Sequence, residues 1–419
     1  MADTLASAGI TQQLTHGADA RAVRALLPDG QVTAGFAGSG WAIALVLDPA
    51  GASTAAPAAA PFTVVAPDAV WDRLLQSSPE PGWQSLLHLV RTGVVVVEGD
   101  TRAFYRHLHL VRALIESGRG GRSEASAHPR PLTAVGSYLR VASALGVADI
   151  HVERCGQGPQ LLALATAGSD TTQWHGLMTD SDIIERYELI TVDLPWHGRS
   201  SPTFGEYPGE WRLTPADYTD FIVEAADAIG LERPTLVGAS MAGAAVVHAV
   251  ATHPTRFAGA VACQAGERVS NRASELLAAT DIDQTLLVPE WTVGLMNPAS
   301  PRDFRTRVWW GYSRGGHGTY AADIASYLQW DLDEVVASFD ERTPHIAVLS
   351  GSYDTTVTPD DSRRLAARIP NSSFVEMPEL GHFPHAENPA LFAEYLDAAL
   401  IRVRDQHPSV LQTALERSR

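Results

Sequence analysis

Apolar residues fall into short runs and helical stripes, and the two rhythms divide the chain. The first twenty residues are polar and unpatterned and read as a disordered tail, 1–20. From about residue 22, "ARAVRALL" reads as a short helix leading into the apolar strand "GWAIALVL". The tract "DPAGASTAAPAAAPF" then interrupts the pattern, as a long hairpin loop or a disordered insertion would. "FTVVAPDAVWDRLL" predicts strand, turn and helix, with Pro67 and Asp68 at the helix start, and "TGVVVVEGD" predicts a further strand ended by Gly99. In "AFYRHLHLVRALIESG", Phe104, Leu108, Val111, Leu114 and Ile115 share one face of an amphipathic helix.

"SGRGGRSEASAHPRP" is rich in Gly, Ser and Pro and sets a linker at 118–132 between a domain at 21–117 and a larger one at 133–402. In the larger domain strands alternate with helices. "ADIHVERCG", "QLLALAT", "YELITVDL", "PTLVGAS", "FAGAVACQA", "HIAVLSGS" and "SSFVEMP" read as strands, and "TPADYTDFIVEAADAIG" as a helix capped by Thr214. This rhythm predicts the α/β class: a mostly parallel sheet flanked by helices. The interval 267–342 breaks it, being helical in pattern and rich in Trp and Arg, and reads as a lid over the C-terminal edge of the sheet. Residues 403–419 read as a C-terminal tail.

The order of elements over about 25–117, carried by "TVVAPDAVWDRLL" and "GVVVVEGDTRAF", resembles a sterol-carrier-protein-like α+β domain. That resemblance implies a lipid-sized apolar tunnel between sheet and helices. The alternative is a packing or dimerisation module without a ligand.

Composition narrows the partners. The net charge is −17, from 31 basic and 48 acidic residues, which argues against a nucleic-acid or anionic-membrane surface. Every basic residue is arginine, so no lysine can serve as a base or Schiff-base former. The two cysteines, Cys155 and Cys263, read as reduced and have no metal-ligand spacing around them, so neither a metal nor a cofactor is expected. No run of apolar residues is long enough to span a membrane, and the N-terminus lacks the form of a signal peptide, so the expected location is cytoplasmic. Homo-oligomerisation stays open.

The chemistry centres on "TLVGASMAGAAVVHAV". Ser240 stands at a strand-to-helix bend among Gly238, Ala239, Ala242 and Gly243. A serine hydroxyl needs a base, a group to orient that base, and donors for the oxyanion. A sharp turn before a helix exposes the hydroxyl and aims the first helical N–H groups at the developing charge. Ser240 is thus placed like the serine of a nucleophile elbow, although Ala242 stands where the usual pattern has glycine. The plainer alternative is a helix cap. Asp354 and His382 follow the next two strands at the same ends, as acid and base would; Asp354 as a turn former, and His385 as the base, are the competing readings.

With these residues, the sequence resembles the α/β-hydrolase family over about 136–400. "LITVDLPWHGRSSP" matches the loop "DLPGHGxS" of that family, and "LALATAGSDTTQW" the loop that carries its His-Gly oxyanion motif, with Ala165 and Thr166 in the His-Gly places. The resemblance implies a triad of Ser240, Asp354 and His382 and an oxyanion hole from the backbone N–H groups of Ala167 and Met241. A serine nucleophile argues against the haloalkane dehalogenases and epoxide hydrolases of this fold. Trp291, Trp309, Trp310, Tyr312, Tyr320 and Trp330 crowd the lid interval, where Trp309, Trp310, Tyr312, His317 and Arg314 are candidates for the substrate pocket. Arg305 and Arg307 are further candidates for carboxylate recognition; packing and solvent exposure are the plainer readings of all these residues. The expected function is a serine hydrolase acting on a carboxylic ester, or a related activated acyl bond, of a small apolar or aromatic compound. The alternatives are C–C bond hydrolysis, acyl elimination or cofactor-free chemistry by the same triad, and a non-catalytic lipid or small-molecule binding protein.

Overall fold

The computed structural model describes residues 2–27, 30–120, 130–270, 272, 274–340 and 343–405. It divides the chain into two units, Met1–Ala125 with Ala279–Arg302, and Ser126–Ala278 with Asp303–Arg419. Among the described residues no helix is long and apolar enough to cross a membrane.

The first unit is built on a five-stranded sheet. Val32–Gly38 (β1) and Trp41–Asp48 (β2) form a hairpin, Gly51–Ala55 (β3) extends it antiparallel to β2, Phe62–Val65 (β4) runs parallel to β1, and Val96–Gly99 (β5) closes the other edge. Two expectations are corrected here. The Ala/Pro tract contains β3, whose half-exposed small residues carry no alternation for a sequence pattern to show. The first twenty residues contain the helix Ala2–Ala18, which buries Ile10, Leu14 and Ala18, one residue per turn between polar neighbours. So sparse a stripe escapes a composition window. This helix crosses Leu108–Gly118 backbone to backbone: a Cβ on Gly17 would fall 2.1 Å from the Leu114 carbonyl oxygen, and one on Gly118 2.7 Å from that of Gln13.

A third correction concerns the lid. Residues 279–302 belong to the first unit, where the helix Gln284–Val293 is tied down by a buried ion pair. Arg112 holds both carboxylate oxygens of Glu290, with Nη2 donating to Oε1 at 3.0 Å, and Gln84 Nε2 donates to the Gly294 carbonyl at 3.2 Å. Trp291 is buried there, with Arg91 over its ring. Two charged partners far apart in sequence fix this segment, so local pattern could not assign it.

The second unit carries an eight-stranded sheet in the order β13-β12-β11-β10-β8-β9-β7-β6. Its strands are Val135–Ser143 (β6), Gly146–Gly156 (β7), Gln160–Leu164 (β8), Glu188–Val192 (β9), Thr235–Ala239 (β10), Gly259–Cys263 (β11), Ile346–Gly351 (β12) and Ser372–Met377 (β13). The six strands β8 to β13 are parallel, and β7 and β6 add on antiparallel. Strand β6 is mostly exposed, so its apolar residues form no inward face to read. The core lies where Val237, Val261 and Ala347 pack with Leu177, Phe392 and Leu396 of the flanking helices. Both cysteines are free and buried. Of the linker, 121–129 lies outside the described residues, as does the tail from 406 onward; Val403–Asp405 complete the helix Pro389–Asp405.

Candidate active site

Strands β10, β12 and β13 run parallel, so the residues that follow their C-terminal ends gather at one edge of the sheet. Ser240, Asp354 and His382 follow those three strands.

Ser240 joins β10 to the helix Met241–Thr252 with φ 60° and ψ −126°, a conformation that costs a non-glycine residue on the order of 1–3 kcal/mol. Its neighbours make the turn possible. A Cβ on Gly238 would lie 2.5 Å from the Ala242 carbonyl oxygen, and one on Gly243 2.3 Å from that of Cys263. Ala242 is small enough for the place where glycine was expected. The Ser240 N–H donates to the Cys263 carbonyl at 3.0 Å, anchoring the turn on β11. Met241 opens the helix, and its N–H is among those a helix leaves without an intrahelical acceptor.

Asp354 and His382 meet. His382 Nδ1 lies 2.6 Å from Asp354 Oδ2, while Asp354 Oδ1 accepts the N–H groups of Thr356 at 2.7 Å and Val357 at 3.2 Å. Both side chains are buried. The loop bearing His382 is held by Gln264, whose Nε2 donates to the Gly381 carbonyl, and by buried Glu387, which accepts the Gly381 N–H at 2.6 Å. Among the described residues no hydrogen bond joins Ser240 Oγ to His382; apo sites commonly hold this contact long until substrate tightens it. The competing histidine is occupied elsewhere. His385 stacks on Trp174 with centroids 4.1 Å apart, and burial, then the nearby His382 charge, push its pKa down to about 3.

Ala167 lies in the loop after β8, buried beside two clamps that local sequence could not reveal. Gln173 Oε1 accepts from the Thr166 N–H at 3.2 Å, and Thr166 Oγ1 meets the Tyr312 hydroxyl at 2.6 Å. Gly168 donates its N–H to Asp323 Oδ2 at 2.7 Å. Asp323 is fully buried, accepts the Trp211 indole N–H at 2.8 Å and pairs with His197 Nε2 at 2.8 Å. Burial works against a charge on His197, but the carboxylate outweighs it and holds the His197 pKa above its ordinary value. His197 belongs to "DLPWHGRSS" and Gly168 to "LALATAGSDTTQW", the two stretches that a motif marked; Asp323 and Trp211 lie in neither.

The pocket candidates separate. Tyr312 is the clamp just described. Arg314 is engaged with Asp170 at 2.7 Å and stacks over Trp310, and His317 is exposed. Trp309 is half-buried on the helix Arg302–Ser313. Trp310 lines a cavity of about 380 Å³ together with Phe304, Val308, Leu132, Arg307 and Gln173. Neither Ser240 nor His382 lines it; Gln173 alone links its wall to the Thr166 clamp. Among the described residues no cluster of His, Cys, Asp or Glu has the makings of a metal site.

A family model described as Alpha/beta hydrolase family matches residues 161–395. The pimeloyl-[acyl-carrier protein] methyl ester esterase of Aeromonas hydrophila subsp. hydrophila is 27% identical over an alignment of 264 residues that covers 59% of this chain and 98% of that protein. A thermophilic esterase from Thermogutta terrifontis has a similar fold, with a TM-score of 0.55 at 19% identity, covering 64% of this chain and 99% of that one. The enol-lactonase from Burkholderia xenovorans LB400 gives 0.53 at 18% identity, covering 62% and 99%.

Proposed function

The chain belongs to the alpha/beta hydrolase family, and from that premise we propose that it is a serine hydrolase cleaving carboxylic esters of small apolar or aromatic compounds through Ser240, His382 and Asp354. One observation carries the reading: a serine strained to φ 60° at a strand-to-helix turn shares a sheet edge with a buried Asp354–His382 pair 2.6 Å apart. Strain of this kind persists only where the surroundings enforce it, and here it serves to present the hydroxyl.

In the proposed reaction His382 Nε2 takes the Ser240 proton as Oγ attacks the ester carbonyl. Asp354, on Nδ1, fixes the tautomer and stabilises the imidazolium. The oxyanion sits on the N–H groups of Ala167 and Met241. The intermediate collapses, the alcohol leaves with the proton from His382, and water attacks the acyl-serine with the same histidine as base. Release of the carboxylic acid returns the proton to Ser240.

The reading is tested with a fluorophosphonate probe and an ester panel. Ser240 should be the labelled residue, and Ser240→Ala should lower turnover by about three orders of magnitude or more in a folded protein. An unlabelled serine, or activity within tenfold of wild type in the variant, would refute it. For the N-terminal unit we propose a packing role rather than lipid carriage, because Phe36, Phe62, Trp71 and Phe104 fill the space around its sheet. A fluorescent fatty acid that binds and is displaced by sterol would overturn that role.

A further inference from the structure

A buried cation lies one side chain away from the proposed oxyanion loop. Arg272 is 4% exposed, and its Nη2 donates to the Tyr320 hydroxyl at 3.2 Å. Among the described residues no carboxylate pairs with it. A buried guanidinium facing only a phenol is costly, and proteins ordinarily supply such a charge with an anion.

The surroundings tie Arg272 to the chemistry. The Tyr320 ring lies so close to Gly168 that a Cβ there would fall 2.5 Å from it, which puts Tyr320 against the oxyanion loop. Tyr320 packs edge-on to Tyr312 at 5.8 Å, Tyr312 meets Phe383 at 5.6 Å, and Phe383 adjoins His382 at 4.8 Å. Tyr327, two turns along the helix Thr319–Tyr327, shares a face with Tyr320. Its buried hydroxyl faces Ser240 and makes no other hydrogen bond among the described residues. The Arg272 charge acts on the Tyr327 and Tyr312 hydroxyls alike.

Building on the hydrolase reading, we propose that this site takes esters whose acyl part ends in a carboxylate, the anion binding Arg272 and the Tyr327 hydroxyl serving as a further donor inside the pocket. A guanidinium matches a carboxylate with two parallel N–H bonds. One guanidinium balances one negative charge, whereas a phosphate monoester would bring excess charge beside Asp354. Arg272 and Tyr327 are specificity-determining residues; the bond cleaved and the Ser240 chemistry are those already given.

The test compares monomethyl glutarate with methyl pentanoate, of equal acyl length, by methanol release. Wild type should show the higher kcat/KM for the half-ester, and the ratio of the two values should collapse about a hundredfold in Arg272→Met, with Arg272→Lys between them. A wild-type preference for methyl pentanoate, or a ratio that survives in Arg272→Met, overturns the proposal. If neither ester is turned over, the ester reading fails and calorimetry decides the subsite: glutarate should bind wild type and bind Arg272→Met about a hundredfold more weakly, and no glutarate binding overturns it. Should the variants not fold, wild-type binding alone is decisive. Glutarate must bind more tightly than both pentanoate and inorganic phosphate, and any other order refutes the carboxylate assignment.

Discussion

Asp323 Oδ2 receives the Gly168 N–H at 2.7 Å, one residue past the N–H proposed for the oxyanion hole, and the same oxygen faces His197 at 2.8 Å. The helix Thr319–Tyr327 is thereby bonded to the loop that would hold the transition state. Asp323→Asn keeps the shape and loses the charge. It should lower kcat roughly ten- to a hundredfold and move KM only a few-fold, because loop placement matters most when the oxyanion forms. Steady-state kinetics on one ester, with circular dichroism for the fold, checks this; an effect confined to KM would show that the cluster does not position the loop.

The two neighbouring histidines should respond differently. His382→Ala should cost about three orders of magnitude in kcat, since it removes the partner of Asp354. His385→Phe replaces a ring stacked on Trp174 with another ring and should stay within about tenfold of wild type. Equal losses in two folded variants would leave the base elsewhere.

Acid should destabilise the protein before its carboxylates titrate. Burial pushes the His385 pKa down to about 3 and that of His109 to about 4, against 6.5 for an ordinary histidine. Both rings therefore stay neutral in the fold and take up protons on unfolding. Their stabilising effect is complete above pH 6.5 and is lost as pH falls toward the folded pKa values. At pH 5 a group shifted as far as His385 has lost about 2 kcal/mol. Urea melts of wild type and His385→Phe between pH 7.5 and 4.5 should show the flatter slope in the variant; parallel slopes would place the proton uptake elsewhere.

A chain beginning near Pro131 should aggregate. It would retain the helix Gln284–Val293 but lose the Arg112 guanidinium that holds Glu290, whose side chain is 1% exposed. Removing one partner of a buried ion pair costs about 3–5 kcal/mol. Restoring solubility by deleting 279–302 as well, or by Glu290→Leu, would identify that charge as the cause, whereas a soluble and active truncation would contradict it.

What the sequence could show depended on how local each signal was. The small residues lie within a few positions of Ser240, and Asp354 and His382 each lie within a few positions of the strand they follow, so the pattern exposed them. The strands β8 to β13 are apolar runs bounded by turns and were equally visible. Thr166, Gln173 and Tyr312 are tied by hydrogen bonds across 146 residues, and Gly168 and Asp323 across 155. No local rhythm encodes those partnerships. The aromatic lid misled for the same reason: Trp291 and Trp310 share composition, but Glu290 takes one of them into the first unit.

The interrupted first unit also has a bearing on how the protein is made. During synthesis its sheet and the helix Leu108–Gly118 leave the ribosome long before the helix Gln284–Val293 that completes their burial. At translation rates of roughly 5–20 residues per second, on the order of 10 to 30 s separate the two. For that interval Arg112 waits without Glu290, and the nascent unit presents an uncovered apolar face. Chaperone occupancy on translating ribosomes should therefore rise once residue 118 has emerged and fall only when Val293 is out.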